Sequence, residues 1–184
     1  MHCIGARMIV SSTAQNKLSR ANGSLMRCTP LAVCGRKLSD MDLAEASKLD
    51  SSLTHPHSNC TTAVACYTCS IAELINRADA DSPASSSERE RAFERACAMS
   101  SLIGNDDVEG WLQMAKEGPL PRDMSGETMG WVARAFINAF WHLLHTEHYS
   151  GALESTLLAG GDTDTNAAIA GGLLGAAGGI EYLK

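Results

Sequence analysis

What this sequence lacks narrows its class before any motif is read. No stretch of the 184 residues approaches the roughly twenty consecutive apolar positions that a membrane-crossing helix needs, and the opening Met1 to Val10 has no signal-peptide run. No membrane partner is therefore expected. Positive charge is scarce: 15 Lys and Arg stand against 21 Asp and Glu, a formal net charge of −6. The basic face that grips a polyanion is missing, so no nucleic-acid partner is expected. Regular cysteine spacing is absent as well. Seven cysteines, an odd number irregularly placed, argue against a disulfide scaffold and for a reducing compartment, the cytoplasm. Without a secretory signal, the sequons at Asn22-Gly23-Ser24 and Asn59-Cys60-Thr61 have no glycosylation meaning. Strand patterning is nearly absent, with Met8 to Ser12 the single candidate.

What remains is a globular helical composition. Apolar residues make up 45% and charged residues 20%, and the length suits one domain over 1–184 that buries roughly 70% of its unfolded surface. Ser39 or Asp40 is placed to cap a helix running to about Leu53, with Leu43, Ala44, Ala46 and Leu49 for its buried stripe. Thr61 to Ala78 is apolar almost all round and reads as a central buried helix. A Ser-rich break follows at 79–87, and Ser87 can cap a helix from Glu88 to Ile103, with Phe93, Ala96, Cys97, Ser100 and Leu102 inward and Arg89 among the outward charges. Asn105-Asp106-Asp107 caps a short helix ended by Gly118-Pro119. Met129 to Leu144, Ser150 to Ala159 and Ala167 to Gly179 complete the set. Glycine in a helix costs about 1 kcal/mol against alanine. The glycines of the closing helix therefore imply close approach by neighbouring helices, Gly171 and Gly175 among them.

Three short blocks carry chemistry. Gly160-Gly161-Asp162-Thr163-Asp164-Thr165 places two carboxylates and a hydroxyl within four residues, behind two glycines that permit a sharp turn. Such oxygen donors suit Mg²⁺, Mn²⁺ or Ca²⁺. The same residues also serve as ordinary helix caps. In Asn22-Gly23-Ser24-Leu25-Met26-Arg27, Asn-Gly suits a tight turn whose outward N–H groups can grip a ribose or a diphosphate. Thr54-His55-Pro56-His57 follows a helix, and its histidines precede Cys60, Cys66 and Cys69. Zinc is disfavoured there, because Cys66 and Cys69 lie in an apolar helix without a glycine-bearing knuckle.

Taken in chain order, NGSLMR with its following Pro30, LTHPH and the C-terminal GGDTDT resemble blocks of the ADP-ribosylglycohydrolase family, the type that contains dinitrogenase-reductase-activating and ADP-ribosylarginine hydrolases. The resemblance implies an all-α, compact orthogonal helical bundle. It implies a metal-dependent hydrolase that removes ADP-ribose from a modified protein side chain or related conjugate, by cleavage of the glycosidic bond at the anomeric carbon. Asp162, Asp164 and Thr165 take the metal-ligand roles, for Mg²⁺ or Mn²⁺, two ions in a complete site. Asn22, Gly23, Ser24, His55, Gly130 and Trp131 take positions lining the substrate cleft, while Met26 and Arg27 hold the loop. The sequence departs from the family at its start, where a Gly-rich first helix and a Ser/Thr-Asp-Asp cluster are expected upstream of NGSLMR. The bundle is therefore expected to lack its first helices, the catalytic acid is unknown, and this chain's activity is expected to be weak. The alternative is a pseudoenzyme that binds ADP-ribose or a partner without cleaving.

Overall fold

The computed structural model describes residues 4–77 and 79–180. Its helices are α1 (Ile4–Asn16), α2 (Thr29–Gly35), α3 (Asp40–Ser52), α4 (Ser58–Ile75), α5 (Ser86–Ile103), α6 (Asp106–Glu117), α7 (Val132–His145), α8 (Tyr149–Leu158) and α9 (Thr163–Gly178). A 3-10 turn, Asn22–Arg27, stands between α1 and α2. The all-α expectation holds: among the described residues the sole β feature is an isolated antiparallel bridge between Ala21 and Trp131. Met8 to Ser12 is not a strand but lies inside α1. A lone strand has no ladder to satisfy its backbone, whereas here the Ser12 hydroxyl donates to Ile9 O within α1 and to Ser52 O at the end of α3.

The core forms around α4. Residues 59–72 and Leu74 are all buried, because small side chains such as Ala63, Ala65, Cys66 and Ala72 let α3 and α5 pack on two sides while α2, α9 and the 3-10 turn close others. Polar groups in this interior are paired, as burial requires. The Ser47 and Thr68 hydroxyls lie 2.7 Å apart, and Ser70 donates to Ala92 O at 2.6 Å. The helix starts three residues earlier than the apolar pattern suggests. His57 caps it, Nδ1 accepting from Asn59 N–H at 3.1 Å.

Ser85, not Ser87, caps α5, through a reciprocal capping box with Glu88. Arg89 is buried rather than outward, and its guanidinium donates to the carbonyls of Leu143 and Thr146 at the end of α7, which no helical N–H can reach. Leu49 and Leu102 are exposed instead of buried. Asn105 caps α6 as expected, accepting from Val108 N–H. On α7, Phe136 and Phe140 pack 4.6 Å apart between ring centres, and Phe140 meets Phe93 of α5 edge-on.

The closing helix explains its glycines only in part. Gly172 faces the Tyr67 and Thr29 hydroxyls, and Gly171 the Tyr149 hydroxyl, at distances that a methyl group would violate, while Leu153 lies at ordinary contact distance from Gly171. Tyr67 also donates its hydroxyl proton to Ile169 O at 2.7 Å, so α9 lies directly on α4. Gly175, by contrast, meets nothing within 4 Å. Arg77 fastens the far end of α9, donating to Ala176 O and Ala177 O and to the carbonyls of Ala80 and Ser82 in the Ser-rich loop. At the opposite end of α9, its N-terminus gathers with the 3-10 turn, the start of α7 and the end of α3.

Candidate functional site

The 3-10 turn is seated by backbone before any side chain acts. Ala21 is extended and pairs with Trp131; Asn22 N–H donates to Gly130 O at 2.9 Å, and Val132 N–H to Arg20 O at 2.8 Å. Inside the turn, Leu25 is fully buried while Met26 is about half exposed. Leu25, rather than Met26, therefore anchors the loop, a burial that stabilises it by roughly 2 kcal/mol. Arg27 does hold it to α3: Nη1 donates to the Thr54 hydroxyl at 2.7 Å, Nη2 to Asp50 O at 2.7 Å, and Nε to the Asp50 carboxylate.

This seating aims the Asn22 side chain at the DTDT turn. Asn22 Nδ2 donates to Asp162 Oδ2 at 2.8 Å, joining residues 140 positions apart. Gly160 and Gly161 both take the left-handed conformation, φ 74° at each, which side chains resist; Gly161 also lies against the Met124 carbonyl, where no Cβ fits. That turn presents Asp162 at the mouth of α9. The carboxylate does not cap the helix. Only the Asp162 carbonyl does helical work, accepting from Asn166 N–H at 2.9 Å. Asp164 stands exposed in the first turn, and Thr165 is half-buried next to it. Gly130 faces Asp162, with space for a Cβ at 3.6 Å from Oδ2.

The remaining candidates spread along one rim. Gly23 touches the His55 ring so closely that a Cβ would lie 2.7 Å from Cε1. His55 Nδ1 pairs with the Thr54 hydroxyl at 2.8 Å. Burial holds its imidazole below the ordinary value, and the Arg27 charge adds to the effect, so it is neutral at pH 7. Ser24 is fully buried and accepts from Ser51 Oγ at 2.9 Å; its side chain ties the turn to α3 rather than facing outward. Trp131 lies just before α7, 42% exposed, with the Arg20 guanidinium 5.8 Å from its ring centre. The structure thus brings Asn22, Gly130 and Asp162 together and pairs Gly23 with His55.

Three residues near this end were not singled out in the sequence for these roles. Arg20 reaches Trp131 and His57, and His57 caps α4. Asn166, one turn into α9, is fully buried with Oδ1 lacking a partner. Only its position four residues after Asp162 hinted at it. As a cation site the donors are of the right kind: Asp162, Asp164, Thr165 and the orphaned Asn166 amide supply hard oxygen, which Mg²⁺ and Mn²⁺ accept together with water and substrate oxygens. They do not by themselves make a closed site: among the described residues no three His, Cys, Asp or Glu side chains converge to hold a metal. The same observation leaves the His and Cys residues near α4 without a zinc cluster among the described residues. A groove of about 430 Å³ between the 120–122 segment and α8 runs up to Ala159, next to the turn.

An all-helical bundle that crosses a Gly-Gly-Asp turn with an Asn-Gly turn defines a class of protein with an oxygen-rich surface site. The family model for ADP-ribosylglycohydrolase matches residues 4–184, and the chain belongs to the ADP-ribosylglycohydrolase family. It is similar to a solved structure described as an "ADP-ribosylglycohydrolase-related protein complex", with a TM-score of 0.70 and 20% identity over 99% of this chain. That likeness carries the fold. The chain spans 61% of the length of that solved chain. No match was found among curated proteins.

Proposed function

We propose that this chain binds ADP-ribose across the Asn22 and Asp162 turns and takes part in hydrolysing the N- or O-glycosidic bond that links ADP-ribose to a protein side chain or related conjugate, with Mg²⁺ or Mn²⁺. The observation that carries the reading is the 2.8 Å bond from Asn22 to Asp162. Two blocks at opposite ends of the sequence, each of which resembles a functional element of the family, meet at one place although nothing in their local structure requires it.

Asp162, Asp164 and Thr165 would hold the cation, which when bound supplies positive charge to fix ribose hydroxyls and to stabilise charge that shifts as the glycosidic bond breaks. Asn22 fixes the Asp162 carboxylate by donating to Oδ2, which leaves Oδ1 and a further lone pair on Oδ2 to hold a cation. The neutral His55 ring, packed on Gly23, fixes the backbone of the Asn-Gly turn and forms part of the cleft edge. Trp131 offers a ring face beside them for the base or the ribose.

Calorimetric titration with ADP-ribose in the presence of MgCl2, together with release of ADP-ribose from arginine-linked and serine-linked substrates, tests the proposal. Binding that disappears in Asp162→Ala and Asp164→Ala is expected. Binding unchanged in both variants would place the ligand elsewhere and sink the assignment.

A further inference from the structure

We propose that Arg134 is a positioning residue for this site, clamping the segment 123–130 on which the Asn22 and Asp162 turns are both seated. The inference rests on the reading above for the cation and on the following geometry for the clamp. One end of the segment supports the Asp162 turn. Met124 is buried, its N–H donates to Ala159 O at 2.9 Å, and its carbonyl lies so close to Gly161 that no Cβ fits between them. Its sulfur takes the Asn166 amide at 4.0 Å. The other end supports the Asn-Gly turn: Gly130 O accepts Asn22 N–H at 2.9 Å, and Gly130 itself faces Asp162 Oδ2. The bond from Asn22 to Asp162 therefore joins two turns that rest on one support.

That support is neither helix nor strand, so its shape depends on the partners its polar groups find elsewhere. Arg134 supplies two of them from the first turn of α7. Nε donates to the Thr128 hydroxyl at 2.9 Å and Nη1 to Asp123 O at 3.0 Å. The guanidinium is a rigid planar fork, so these bonds fix positions 123 and 128 relative to each other. They also tie the segment to the core, because Val132, Ala135 and Phe136 on either side of Arg134 are fully buried. Its charge is not spent on an acid: Arg134 makes no ion pair among the described residues. The Asp123 carboxylate turns instead to Ser125, accepting from its N–H at 3.0 Å and its hydroxyl at 2.5 Å. A segment that slips carries Gly130 away from Asn22 or Met124 away from Gly161, and either shift displaces the Asp162 carboxylate. Mg²⁺ ligation demands near-ideal geometry, so cation affinity reports such a shift.

The test is calorimetric titration of the full chain with MnCl2, alongside amide hydrogen exchange at Asn22 and Met124, whose N–H groups join the segment to its two neighbours. Arg134→Ala is expected to weaken Mn²⁺ by about tenfold and to speed exchange at both amides by about tenfold. Thr128→Val keeps the side-chain shape, removes one acceptor, and is expected to weaken Mn²⁺ by about threefold. The double variant should bind no worse than Arg134→Ala, since both changes break one clamp; losses that multiply would overturn it. Ser70→Ala removes a buried hydrogen bond between α4 and α5 and should leave Mn²⁺ affinity unmoved. An equal loss there would make the effect one of global stability and sink the positioning role. If the wild type binds Mn²⁺ and Arg134→Ala binds it equally well, the clamp is refuted while the function stands. If the wild type does not bind Mn²⁺, the cation reading falls and exchange judges the clamp alone. Faster exchange in Arg134→Ala then upholds it, and unchanged rates overturn it.

Discussion

Asn22 does more than its place in an Asn-Gly pair indicates. The dipeptide was legible as a turn, but the direction of its amide depends on the backbone pairing of residues 20–22 with 130–132, which no local pattern records. Because Asn22 is 6% exposed and bonds a carboxylate, Asn22→Ala should lower stability by about 1 kcal/mol; the low end applies because Asp162 reaches solvent, where the bond is screened. A denaturant midpoint that stays put would show the bond to be incidental. The two carboxylates can be examined without substrate. Titrated with MnCl2, the wild type is expected to bind and Asp162→Ala and Asp164→Ala to lose that binding, whereas full retention in the double variant would put the ion at another place. The Asp162 carboxylate also bears on the capping reading of the motif. A capping role needs its oxygen on an α9 N–H, and the structure gives that oxygen to Asn22 instead. Ser24 marks the opposite limit: residue type alone could not tell a serine that faces the cleft from one turned inward to Ser51.

At the scale of elements, periodicity recovered what burial enforces. α4 is buried on all sides and α7 on one face, and both were plain from apolar spacing. Capping chemistry placed α3 and α6, through Ser39 and Asn105. Misplacements came where tertiary contacts override local signals: Arg89 turns inward to finish the carbonyls of α7, and Met8 to Ser12 is helical for want of a strand partner. Glycine was the least legible residue, since its reason lies in what stands opposite. Gly172→Ala sets a methyl group against the Tyr67 and Thr29 hydroxyls, and a loss of roughly 1 to 3 kcal/mol is expected. Gly175→Ala and Gly110→Ala meet open space and should gain roughly 0.5 to 1 kcal/mol each from helix propensity. Chemical denaturation of the three variants separates the cases. Equal effects at Gly172 and Gly175 would mean that contact is not what sets their tolerance.

At the scale of the whole fold, His55, His57, His142 and His145 set a common response to acid. His142 is 1% exposed on α7, with Nδ1 on the Thr146 hydroxyl at 2.8 Å and Nε2 lacking any partner. Burial pushes its pKa down from 6.5 to about 4, and the neighbouring His145 adds to the shift. Burial lowers His55, His57 and His145 in the same direction. A folded pKa below the unfolded one means that the unfolded chain binds more protons, so stability is full above pH 6.5 and falls as the pH drops toward 4. Each such proton contributes a slope of about 1.4 kcal/mol per pH unit, which makes His142 alone worth roughly 3 kcal/mol between neutral pH and pH 4. The other three are more exposed and add less. Urea midpoints measured at pH 7, 6, 5 and 4 should decline steadily below pH 6.5, and His142→Gln should flatten that decline while costing little at pH 7. A His142→Gln variant with the wild-type slope would refute that assignment and move the acid sensitivity to other groups, His55, His57 and His145 among them.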